Sequence, residues 1–229
     1  MIIDTIEGLG DAMANDPPQG SVMVVMGPPG SLKTSLVYYI LAKVGERGAK
    51  SLYVTVEQSP ESIIHNVKSM NLNVSPEYVK MIDLGAAKYE LKYNLSYLDE
   101  DETLNLILAN MREAINGEEQ PAFLGLDSLN ALYILSSGGR KFRIMLERLF
   151  RTLREQKITS FLVLEDMGQD KGVEQFLADG VIQLDIVNRS EGRIRSFEIK
   201  KMRGVQHKLN PFLLDVEDGR IVLKGELIE

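Results

Sequence analysis

Residues 27–35, GPPGSLKTS, constrain this chain more than any other stretch. They follow the apolar run SVMVVM at 21–26 and precede the amphipathic run TSLVYYILAKVGERG at 34–48. A buried strand, a glycine-bearing loop and a helix in that order form the context of a phosphate-binding loop with the pattern G-x-x-x-x-G-K-[ST]. Gly27, Lys33 and Thr34 fall on the pattern, while Leu32 stands where it has its second glycine. Backbone N–H groups of Pro29-to-Ser35 positions that carry one (Gly30, Ser31, Leu32, Lys33, Thr34, Ser35), together with Gly27 and the turn set by Pro28 and Pro29, would surround phosphates at a helix N-terminus. Lys33 would place its ammonium among their oxygens, and Thr34 would offer its hydroxyl to Mg²⁺. Leu32 carries a Cβ, so its backbone is expected to hold a conformation that an ordinary residue tolerates, or to stand back from the phosphates, with the side chain turned away. A plain turn with helix-capping residues would use similar residue types. The strand before, the helix after and the Lys33-Thr34 pair favour the phosphate reading.

Beyond the loop, short apolar runs alternate with amphipathic ones, which predicts βαβ units around a largely parallel sheet. Strands are expected at 51–56, 122–127 and 159–166, and helices at 60–70 and 141–156. Ser59 as N-cap, Pro60 at the first helical position and Glu61 in the first turn mark the start of the first of these helices. Phe142, Leu146, Leu149 and Leu153 mark one apolar face of the second. Residues 84–101 lack periodicity and read as a surface excursion before a helix at 102–117. Past residue 180, apolar runs separated by turn residues predict an antiparallel meander. The expectation is one α/β domain over 1–229: a mainly parallel central sheet flanked by helices, closed by a C-terminal antiparallel meander.

Composition narrows the chemistry. No cysteine and only two histidines, His65 and His207, argue against a structural zinc site. The net charge of −7 opposes broad adhesion to nucleic acid. No run is long and apolar enough to span a bilayer, and residues 1–16 lack a basic flank before an apolar stretch, so a cytoplasmic location is expected. Acids end the predicted strands, and a parallel sheet gathers such ends on one side. Asp127 would hold Mg²⁺ through a water opposite Thr34. Glu57 is the leading base for deprotonating water, with Glu165 and Asp166 as supporting groups. Each also fits a solvated strand-end acid.

Four stretches together carry a family likeness: GPPGSLKTS, VTVEQSPESIIHNVKSMNLN (54–73), FLGLDSLNAL (123–132) and GVEQFLADGVIQLDIVNRSEGRIRSFEIKKMRGVQH (172–207). With them the chain resembles the KaiC-like branch of the RecA-type ATPases, in the single-domain form found in archaea. Lys201, Arg203, Gly204 and His207 reproduce the K-x-R-G-x-x-H spacing of that family. The resemblance implies a RecA-like P-loop fold and a homo-oligomeric ring, a hexamer, with ATP and Mg²⁺ between subunits. It also implies that Lys201 and Arg203 reach the γ-phosphate held by the adjacent subunit, while His207 shapes their loop. Read without it, the same charges would protect an exposed edge strand from aggregation. Two departures stand out. Relatives carry two consecutive glutamates where this chain has Glu57-Gln58, and no serine or threonine lies between Phe161 and Asn188, which argues against autophosphorylation of the clock-protein kind. Three readings follow: a slowly ATP-hydrolysing ring protein that regulates partner proteins, a non-hydrolysing ATP sensor, and a recombinase-like DNA-binding ATPase using the basic stretch SSGGRKFR at 136–143. The acidic net charge and the shortness of that stretch oppose the third.

Overall fold

The computed structural model describes residues 1–85, 109, 113, 120–135, 139–165, 172–190 and 192–227. The expected excursion at 86–101, the helix at 102–117 and Asp166 lie outside the described residues, apart from the isolated positions 109 and 113. At the centre runs β1 (Val22–Gly27), every residue of which is buried. Val22, Val24 and Met26 pack into one apolar cluster while Met23 and Val25 pack into another on the opposite face. A strand covered on both sides has no need of polar alternation, and for that reason SVMVVM reads as a continuous apolar run.

Around β1 the chain builds a sheet with the order β3-β2-β4-β5-β1-β6-β7-β8-β9 among the described residues. The members are β2 (Ser51–Thr55), β3 (Val79–Asp83), β4 (Phe123–Asp127), β5 (Thr159–Glu165), β6 (Gly180–Arg189), β7 (Gly192–Met202), β8 (Phe212–Glu217) and β9 (Arg220–Glu226). From β3 to β6 the pairings are parallel, and from β6 to β9 antiparallel. The expected meander is present, but its first strand, β6, also pairs in parallel with β1. β3 lies beyond the predicted strands: VKMID is only partly buried at the sheet edge, so its pattern is weak.

The helices are a short α1 (Leu9–Ala12), α2 (Lys33–Gly45), α3 (Pro60–Ser69), α4 (Leu129–Leu135), α5 (Gly139–Glu155) and α6 (Val173–Leu177). Most of α2 is buried, and Leu36, Val37, Ile40 and Leu41 join the cluster that contains Met23 and Val25. α3 starts as its sequence predicts, with the Ser62 N–H donating to Ser59 Oγ at 3.3 Å and Pro60 at the first position. α5 covers the other face, where Phe142, Leu146, Leu149 and Leu153 are buried with Val22, Val24 and Leu162. Each such side chain stabilises the fold by about 1.5–3 kcal/mol relative to its exposure. Residues 139–143 of the basic stretch form the first turns of α5 and are not a loop, and residues 136–138 lie outside the described residues. The three bases Arg140, Lys141 and Arg143 face solvent there because Phe142 takes the inward position.

One charged residue joins three elements at the end of the sheet where β1 begins. Asp179 Oδ2 accepts from the Val22 N–H at 3.0 Å and from Arg154 Nε at 2.9 Å, and Oδ1 accepts from Arg203 Nη1 at 3.3 Å. Burial pushes the carboxyl up, yet the hydrogen bonds from Arg154 and Val22 outweigh it and hold the group below the usual carboxylate range. A lowered value in the folded chain means that the contribution is complete above the unfolded-state value near about pH 4, and is lost as pH falls through the folded value. Asp179→Ala is expected to cost about 1–3 kcal/mol, since it strands the Val22 donor and the Arg154 guanidinium. Urea unfolding at neutral pH measures that loss, and the gap between variant and parent should close as the pH is lowered below about 4.

Candidate functional site

The loop between β1 and α2 takes its shape from close packing. A Cβ on Gly27, whose φ is 155°, would lie 2.1 Å from the Leu184 carbonyl oxygen and 2.8 Å from Ser31 Oγ, so no larger residue fits. Gly30 has a φ of 81°. Leu32 has a φ of 75° and a ψ of 17°, a left-handed conformation at the start of α2. This overturns the expectation of an ordinary backbone at Leu32. The second glycine of the motif is replaced, but the conformation that favours glycine is retained, at a cost of about 1–2 kcal/mol for a residue with a side chain. Contact of the Leu32 side chain with the α2-side apolar cluster offsets that strain.

Polar side chains from several elements converge below the loop. Thr34 Oγ1 donates to Asp127 Oδ2 at 2.6 Å, which joins the start of α2 to the end of β4. Tyr53 Oη, from β2, donates to the same oxygen at 2.8 Å. Burial pushes the Asp127 carboxyl up from its usual range, and the Thr34 and Tyr53 hydrogen bonds and the Lys33 charge only partly counter this. Lys33 is itself buried, and its Nζ donates to the Pro28 carbonyl at 2.9 Å. Ser31 is fully buried, and its Oγ has no hydrogen-bond partner among the described residues. A buried hydroxyl left in that state is costly unless something else occupies the loop.

Glu57 stands just past the end of β2, exposed, and Ser128 Oγ donates to its Oε1 at 3.1 Å. Glu165 ends β5, and the Asn130 side chain from α4 brackets it: the Glu165 N–H donates to Asn130 Oδ1 at 2.7 Å and Asn130 Nδ2 donates to the Glu165 carbonyl at 3.3 Å. Lys33, Thr34, Glu57, Gln58, Asp127 and Glu165 all line one open cleft of about 540 Å³. That volume suits a small-molecule ligand. The donor set is a hydroxyl and a carboxylate, the hard oxygens that Mg²⁺ takes when substrate phosphates and water complete its shell. The residues therefore fit a magnesium–polyphosphate ligand: Gly27 to Ser35 for the phosphates, Thr34 and Asp127 for the metal.

Lys201 and Arg203 are not brought to this cleft. Lys201 pairs with Val181, which pairs with Val24, three residues before Gly27. At about 3.3 Å per residue the register carries it roughly 10 Å toward the opposite end of the strands. There its Nζ donates to the carbonyls of Gln175, Phe176 and Ala178, and burial pulls its ammonium below the usual lysine range. His207 sits on the same connection, with Nδ1 2.9 Å from the Lys208 carbonyl. Arg195, at the other end of β7, does reach the loop, donating from Nε to the Gly30 carbonyl at 3.1 Å. Nothing in the local pattern of β7 singles out Arg195. Tyr53 did leave a trace: the Gly125 facing it in β4 is a strand glycine that makes room for a large neighbour, with a would-be Cβ 3.1 Å from the Tyr53 ring.

Comparisons with known proteins bear on the family and the fold. The family description "ATPase: KaiC" matches residues 3–227. A circadian clock protein KaiC3 from Synechocystis is 26% identical over 93% of this chain, which spans 43% of that relative's length. A UPF0273 protein from Methanopyrus kandleri is 28% identical, with 97% of this chain and 91% of that one covered. Among solved structures, a KaiC-like protein from Pyrococcus horikoshii superposes with a TM-score of 0.75 at 23% identity, covering 96% of this chain and 97% of its own.

The left-handed backbone at Leu32 gives a direct test. Leu32→Ala and Leu32→Gly remove the same apolar contact, but only glycine relieves the strain. Although alanine is the better helix former, the glycine variant is expected to be more stable than the alanine variant by about 1 kcal/mol, read from thermal or urea unfolding.

Proposed function

The chain belongs to the KaiC family of ATPases, and on that premise we propose that it binds ATP with Mg²⁺ at residues 27–35, hydrolyses it slowly, and works as a ring that regulates partner proteins. The observation that carries the reading is the convergence of Thr34 and Asp127 at 2.6 Å beneath a loop whose buried Ser31 hydroxyl has no protein partner among the described residues. Loop amides of residues 30–35 and the α2 N-terminus bind the phosphates, and Lys33 neutralises charge among their oxygens. Thr34 and Asp127 hold the metal, which when bound neutralises charge developing on the phosphates. Glu57, in the same cleft, orients a water and takes its proton, with Ser128 fixing the carboxylate.

Completion of the site from a second copy is part of the proposal, and the placement of Lys201 and Arg203 supports it. Lys201 and Arg203 lie far from the chain's own loop, and Arg203 is exposed to solvent while its Nη1 contacts Asp179. In a ring, such a residue stabilises the charge on the phosphoryl group of a neighbour's nucleotide and contributes about 10³-fold or more in rate. Slow turnover is supported by Gln58, which leaves Glu57 as the single carboxylate at this turn. The same residue favours a non-hydrolysing ATP sensor as the second reading.

Lys33→Ala is expected to abolish nucleotide binding. Glu57→Gln should retain ATP but lower phosphate release about 100-fold or more. Fluorescent-nucleotide titration and a phosphate-release assay separate the two, and parent turnover no greater than that of Lys33→Ala selects the sensor reading. Light scattering after size exclusion should show a ring in the presence of magnesium ATP. Mixing Arg203→Ala with Lys33→Ala should restore turnover, because mixed rings contain interfaces that pair an intact loop with an intact arginine. A monomer under all conditions, or no recovery on mixing, removes the shared site.

A further inference from the structure

Tyr53 is an anomaly in β2. The strand is buried along its length, between β3 and β4, and needs only apolar side chains at this position. Tyr53 is fully buried against Tyr38, with ring centroids 5.7 Å apart in an edge-to-face arrangement. The Tyr38 hydroxyl has no hydrogen-bond partner among the described residues, so this interior does not require a partner for every phenol. Tyr53 nevertheless donates to Asp127 Oδ2 at 2.8 Å, the oxygen that also accepts from Thr34 at 2.6 Å. Both donors fall on Oδ2, while Oδ1 accepts no hydrogen bond among the described residues.

We propose that Tyr53 is a positioning residue for the metal-holding carboxylate: with Thr34 it pins Oδ2 of Asp127 so that Oδ1 is presented, in one orientation, to the hydrated Mg²⁺ of the bound nucleotide. The inference rests on the reading of 27–35 as a magnesium-nucleotide site. Its physical basis is geometric. A carboxylate held through one oxygen by a single flexible hydroxyl can rotate about its Cβ–Cγ bond, and the phenol of a packed ring is a rigid second anchor. Gly125, directly across from Tyr53, keeps the space that the ring needs, with Val37 and Leu41 of α2 closing the other side.

Partners that orient a metal ligand typically account for about 10–100-fold in metal affinity. Tyr53→Phe keeps the ring and deletes only the hydroxyl. With a fluorescent ADP analogue, the Mg²⁺ concentration at half-maximal binding is expected to rise about 10-fold or more, whereas binding of the same analogue in EDTA stays at the parental level. Electron paramagnetic resonance titration of Mn²⁺ in the presence of ADP should show the same weakening directly. Tyr38→Phe, which deletes a neighbouring buried hydroxyl that has no partner, serves as the control and should leave the Mg²⁺ midpoint unchanged. An unchanged midpoint in Tyr53→Phe overturns the proposal, as does an equal rise in Tyr38→Phe, which would mark general loosening of the interior. A parent protein that binds the analogue with no response to Mg²⁺ overturns the reading of the site itself, and the proposal with it.

Discussion

The parallel register of β2, β4, β5 and β1 is the constraint on which the rest of the molecule depends. Parallel pairing requires each strand to run the same way, so the carboxyl ends of all four come out on one side. Gly27 stands opposite Glu165, and Asp127 opposite Thr55, with Glu57 two residues further on. No local feature of any one segment brings these groups together. A slip of one residue in β4 would turn Asp127 to the other face of the sheet, away from Thr34.

That side of the sheet is also where polar groups are tolerated. Strands buried on both faces leave no room for a carboxylate except at their ends, and Asp127 lies deep enough that burial raises its pKa. Two hydroxyl donors and the Lys33 ammonium partly compensate, Lys33 and Thr34 from the start of α2 and Tyr53 from β2. The opposite end of the sheet has its own ionic centre, Asp179, joined to Arg154, Arg203 and the first amide of β1. Lys201 and Arg203 belong to that second centre. Within the chain their charge is taken up there, Lys201 by the carbonyls of Gln175, Phe176 and Ala178 and Arg203 by Asp179.

Leu32 shows how a motif position can change its residue while keeping its backbone. The residue before Lys33 is left-handed, and the chain adopts that conformation with a leucine whose side chain packs against the apolar cluster under α2. The strain and the contact are of similar size, about 1–2 kcal/mol each.

By itself the sequence determined the elements whose signals are local. The apolar run before the loop, the Ser59-Pro60 cap of α3 and the Phe142-Leu146-Leu149-Leu153 face of α5 each follow from short-range periodicity or capping chemistry, and the structure contains all three. The 27–35 loop, Asp127 and Glu57 could be singled out because motif spacing and strand-end position are also local properties, and the structure brings residues of that loop, Asp127 and Glu57 to one cleft. Tertiary structure alone decided what lies across space. It placed the Tyr53 hydroxyl on Asp127, the Ser128 hydroxyl on Glu57 and Arg195 on the Gly30 carbonyl, and it put Lys201 and Arg203 at the far end of the sheet. The physical reason is that hydrogen bonds between residues tens of positions apart depend on strand order and register. Those are set by the packing of the whole sheet between its two apolar layers, and a single strand does not encode them.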